Sequence, residues 1–106
     1  MYLIHTRLGG ADGAVLPDGV AQLVLAAASP ADGVEHVRAH PGALPHPVLA
    51  LFVLAGSLEE AEARALEVCR RALADAPELR GWEAVSSGAA FVAPYYERLL
   101  FPSGPG

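Results

Sequence analysis

The chain has 106 residues, 53% of them apolar and 18% charged, with a formal charge of −5 from twelve acidic and seven basic side chains. That length supports one core burying about two-thirds of the unfolded surface, so no second domain, disulfide or structural metal is called for. The acidic balance argues against a phosphate-backbone partner and so against nucleic acid, and the most apolar run, Val48 to Ala55, is far shorter than the roughly 20 residues that cross a bilayer.

A lone Cys69 permits no internal disulfide and no Cys-based zinc site. The opening Met1-Tyr2-Leu3-Ile4-His5-Thr6-Arg7 lacks the basic, apolar and small-residue regions of a signal peptide. Both features lead us to expect a cytoplasmic protein. Every basic side chain is Arg, and Lys and Asn are absent, which reads as GC-rich coding bias.

Tyr2 to Leu8 alternates, with Tyr2, Ile4, Thr6 and Leu8 on one side and Leu3, His5 and Arg7 on the other, the pattern of a half-buried strand. Gly9 to Gly13 is a flexible connector. Asp18 is placed to cap a helix whose apolar face is Val20, Leu23, Val24 and Ala27, and Ser29-Pro30 stops it because proline cannot continue a helix. After a turn at Ala31-Asp32-Gly33, Val34 to His40 reads as a second strand, with His36, Arg38 and His40 on one side and Val37 and Ala39 on the other. Three prolines between Pro41 and Pro47 prevent regular pairing there. Val48 to Leu54 is apolar on both sides, as a central strand covered on both faces would be.

Ser57-Leu58-Glu59-Glu60 forms a capping-box pattern, in which the Glu60 carboxylate reaches back to the Ser57 amide. The helix it opens carries Leu58, Ala61, Ala65, Val68, Cys69 and Ala72 on its apolar face, with i,i+4 pairs Glu60–Arg64 and Glu67–Arg71 outside. Pro77 ends it. Trp82 to Val85 predicts a fourth strand, Pro94 to Leu100 a short terminal helix, and residues 102–106 a flexible tail, so a single α+β domain spans 1–101.

The order strand, helix, strand, strand, helix, strand is the split β-α-β pattern: a four-stranded antiparallel sheet with two helices on one face and the other face open. His5, Arg7, His36, Arg38 and His40 share the parity of that open face. They constitute either an ordinary solvated face or a local imidazole and guanidinium surface that receives a carboxylate, a phosphate or an acidic partner. On a strand, His36 and His40 stand about 13 Å apart, too far for joint metal ligation, so no metal and no cofactor is expected. Cys69 has no catalytic partner at a recognisable spacing. The aromatic residues Phe91, Tyr95, Tyr96 and Phe101 cluster near the C-terminus, where Tyr95, Tyr96 and Phe101 either seal the core edge or form an interface.

Over nearly its whole length this element order resembles the ferredoxin-like superfamily and, within it, the dimeric α+β-barrel proteins. That resemblance implies sheet-to-sheet pairing and includes cofactor-free monooxygenases, cyclases, isomerases and haem-degrading enzymes, but it is topological and carries over no catalytic position. Met1 to His5, Val34 to Val37 and Cys69 to Leu73 are also similar to short actinobacterial proteins. The leading expectation is a non-catalytic binding or accessory domain that forms a homodimer or docks on a partner protein, possibly in a biosynthetic pathway. The alternative is a cofactor-free barrel enzyme acting on a small acidic or aromatic substrate, with His5 or His36 as acid or base and Arg38 holding an acidic group in a closed pocket.

Overall fold

A computed structural model describes residues 1–89. The expected helix over 94–100, the residues Tyr95, Tyr96 and Phe101, and the tail 102–106 lie outside them. Strand β1 (Tyr2–Gly9), helix α1 (Val20–Ala27), strands β2 (Val34–His40) and β3 (Val48–Val53), helix α2 (Leu58–Asp75) and strand β4 (Glu83–Ala89) follow in the expected order. The sheet is antiparallel throughout, in the order β2-β3-β1-β4, so each β-α-β unit is split by a strand of the other.

Burial sets the parity. Ile4, Thr6 and Leu8 of β1 and Leu49, Leu51 and Val53 of β3 are fully buried on the helix-facing side. Fully burying one Leu, Ile or Val contributes about 1.5–3 kcal/mol. A one-residue slip of β1 would exchange Ile4 and Leu8 for polar neighbours such as His5 and Arg7, so the observed register wins by several such terms. The buried face of α2 is nearly all small, with Ala61, Ala65, Val68, Cys69 and Ala72. Thr6, the one buried polar residue among those described, is satisfied by the Ser87 hydroxyl at 2.9 Å.

Several local expectations change. Asp18 does not cap α1: the Val20 amide donates to the Pro17 carbonyl, so Asp18 lies inside a turn and Gly19 occupies the cap position without a side-chain bond. At α2 the Ser57 hydroxyl accepts from the Glu60 amide at 3.1 Å, but the Glu60 carboxylate reaches the Gly56 amide at 3.0 Å and not that of Ser57. The turn after α1 is a short 3-10 helix, Pro30–Asp32, whose Asp32 carboxylate accepts from the Ser29 amide at 2.7 Å. Strand β4 runs four residues past Val85, because Ser87 finds a partner in Thr6 and the Ala89 amide donates to Glu62 of α2 at 3.1 Å. As expected for a strand covered on both faces, β3 is buried on both sides: among the described residues both helices pack on one face, and Val48 and Ala50 on the other are buried as well.

Arg71 connects the helix layer to the start of β2. Its guanidinium donates to the Ala27 carbonyl at 2.8 Å, one of the carbonyls that the end of α1 leaves without a helical partner, and to Asp32 at 2.9 Å. Glu67, its expected i,i+4 partner, is farther away at 4.0 Å.

Candidate functional site

The strand register arranges the open face in rows. Across β2, β3, β1 and β4, one row reads Arg38, Ala50, His5, Gly88 and the next His40, Val48, Arg7, Ser86; a third begins His36, Phe52, Leu3. The structure therefore places His5, Arg7, His36, Arg38 and His40 on one face, around an apolar centre of Leu3, Val48, Ala50 and Phe52. None of these register positions holds a carboxylate. The acidic residues of the strands are Glu35, in a bulge of β2, and Glu83, opposite Gly9 at the end of β4. The Gly9 site stays bare because a Cβ there would lie 2.8 Å from the Val85 side chain, and Val85 is half exposed in the bulge of β4.

Small residues between the cations decide which of them meet. His5 and His40 are diagonal neighbours across Ala50 and Val48, and with no large side chain between them their rings stand edge to face at 6.4 Å. His36 leans instead over Phe52, at 5.8 Å between ring centres. His5 is half-buried. Loss of solvent first, then the positive charges of His40 and Arg7, hold its pKa below the usual imidazole value. Neither Arg7 nor Arg38 makes an ion pair among the described residues, whereas Arg64 and Arg71 of α2 do.

His5, Arg7 and His40 also line an open depression of about 670 Å³, walled by Ala39, Val48 and the segment 41–44. Parity alone does not show this feature, because it needs the chain after β2 to fold back beside the sheet. The Leu8 amide supports that path by donating to the Pro47 carbonyl at 2.9 Å. Leu44, 88% exposed, stands at the rim. The available signal was the run Pro41-Gly42-Ala43-Leu44, apolar yet unable to pair.

Among the described residues, no group of three or more His, Cys, Asp or Glu converges as metal ligands, and no helix is long and apolar enough to cross a membrane. Cys69 is buried beside Thr6, and burial pushes its thiol up to about 11, which keeps it a neutral thiol. The described core between helices and sheet is a cluster of buried apolar side chains, and no histidine is part of it. No protein-family model, curated protein or solved structure matches the chain.

Proposed function

We propose that this protein is a non-catalytic binding domain that uses its open sheet face to dock on an acidic, partly apolar surface of a partner protein. The observation that carries this reading is the sign of the face: two arginines and three histidines around Leu3 and Phe52, with no carboxylate at their register positions, on a chain of net charge −5. An apolar centre with a polar rim, enriched in Arg and aromatic residues, is the composition of protein interfaces. Opposite charge across such a rim speeds encounter and rejects wrong partners.

Charge also bears on what does not bind. Two copies pairing through this face would bring Arg7 and Arg38 of both together, so an anionic partner suits the face better than a second copy. A cofactor-free barrel enzyme needs its pocket closed, and with the helix side filled, closure would require that same pairing of two sheets.

The test is fluorescence anisotropy with a labelled peptide alternating Glu and Leu, beside a Lys-Leu counterpart. Binding of the Glu-Leu peptide, weakened about tenfold or more by Arg38→Glu and weakened by added salt, is the expected result. Equal binding of both peptides, or no effect of Arg38→Glu, would overturn the docking reading. A stable dimer at micromolar concentration by native mass spectrometry would do so as well, and would restore the barrel alternative.

A further inference from the structure

We propose that the depression between β1, β2 and the segment 41–44 is a site for a small apolar monocarboxylic acid, with the carboxylate among His5, His40 and Arg7 and the stem against Val48, Ala43 and Leu44. This goes beyond the docking reading, since it concerns a small ligand and needs no protein partner. Three kinds of observation support it.

The first is shape. At about 670 Å³ the depression lies within the range of about 300–1,000 Å³ that small-molecule sites occupy, and like them it joins apolar walls to a few convergent polar groups. Leu44 at its rim is 88% exposed and so is accessible to a ligand's apolar stem.

The second is charge. The charged and titratable groups facing the depression are His5 and Arg7 from β1 and His40 from β2, with Arg38 in the row of His5; β3 and the segment 41–44 contribute none, and β4 places only Gly88 and Ser86 in these rows. A guanidinium and two imidazoles supply several N–H donors and a single fixed positive charge within the depression. That set matches a monoanion better than a dianionic phosphate.

The third is the state of His5. Its protonation is disfavoured by partial burial and by the neighbouring cations, and an anion placed among the three groups reverses the electrostatic part of that penalty. Binding and protonation are therefore linked, and affinity rises as the pH falls through the histidine range.

The experiment is a titration of the full chain with hexanoate, hexanamide and acetate at about pH 6.5, observing the imidazole nitrogens of His5 and His40 by NMR. Hexanoate is expected to shift both rings and raise the pKa of His5. It should bind about tenfold or more tighter than acetate, because its stem buries additional methylene groups. Arg7→Gln should weaken it about tenfold or more, and His40→Gln, at an exposed position, should weaken it with an unchanged unfolding midpoint. Absence of shifts at His5 and His40, or equal binding of hexanamide, would overturn the site. If the Glu-Leu peptide binds and hexanoate does not, the site fails and the docking reading stands; if hexanoate binds and the peptide does not, the reverse holds.

Discussion

Gly33 fixes where β2 begins, and replacing it tests how the whole face is set. Its φ is +73°, a left-handed conformation, and a Cβ built there would lie 2.3 Å from the Leu54 carbonyl oxygen and 3.2 Å from the Arg64 guanidinium. The Gly33 carbonyl also accepts from the Leu54 amide at 2.8 Å, while Arg64 donates to the Leu54 carbonyl at 3.2 Å. Gly33→Ala then carries about 1–2 kcal/mol for the left-handed backbone and about 1–3 kcal/mol for a contact that backbone atoms must relieve. Weakening the bond to Leu54 adds about 1 kcal/mol. The sum, about 3–6 kcal/mol, is a large part of the 5–15 kcal/mol typical of small domains. Gly13 is the internal control: its φ is +80°, but no atom lies within 4 Å of its Cβ position, so Gly13→Ala carries only the backbone cost of about 1–2 kcal/mol. Urea unfolding of both variants measures the difference. Equal destabilisation would refute the close approach of Gly33 to Leu54, and with it the pairing that starts β2. A slip of that strand by one residue would turn His36, Arg38 and His40 toward the core.

Further expectations are local. Cys69 should resist alkylation at mildly alkaline pH in the folded protein and react on unfolding; rapid labelling of the native state would contradict its burial. Because the folded thiol is raised from the ordinary value to about 11, its contribution is fully present below pH 9 and is lost as pH rises toward 11. Cys69→Ala should therefore flatten the alkaline loss of stability by about 1–3 kcal/mol. Thr6→Val strands the Ser87 hydroxyl and should cost about 1–2 kcal/mol, part of which Ser87→Ala restores in the double variant; strict additivity would refute the pair. Asp32 is held below its usual pKa by the Ser29 amide first and then by Arg71, so its contribution is present above about pH 4 and is lost as the pH falls through the lowered value. Asp32→Ala should cost about 1 kcal/mol at neutral pH and nothing once acid has protonated the carboxylate, as acid unfolding curves will show.

Period-two alternation makes β1 and β2 legible in the sequence, because each strand has one buried and one exposed face and Ile4, Leu8 and Val37 leave a single choice of parity. Ser57 marked the start of α2 for a similarly local reason. Legibility failed where the deciding partner is far along the chain. Ser86-Ser87-Gly88 carries no strand pattern of its own, and pairing with β1, distant along the chain, together with the Thr6–Ser87 bond across 81 residues makes it the end of β4. Arg71 paired with Glu67 on the helical repeat, yet its short contacts go to Ala27 and Asp32, which tertiary packing brings within reach. Asp18 was misplaced by one residue, and capping has no tolerance for that.

The candidate site divides along the same line. Parity put five cationic and imidazole side chains on one face, but the meeting of His5 with His40 depends on the small size of Ala50 and Val48 between them, and the depression depends on the path of residues 41–44. The apolar run of β3 is a sound signal, since this inner strand is buried on both of its sides. Among the described residues, Arg7 and Arg38 of this face make no ion pair. On α2, Glu60 lies 3.2 Å from Arg64 and Arg71 stands between Asp32 and Glu67, while Arg70 makes no ion pair among the described residues. Such mixed signs serve solubility. The sheet face places Arg7 and Arg38 among three histidines with no carboxylate in their rows among the described residues, and this is the feature on which the proposed docking of an acidic partner rests.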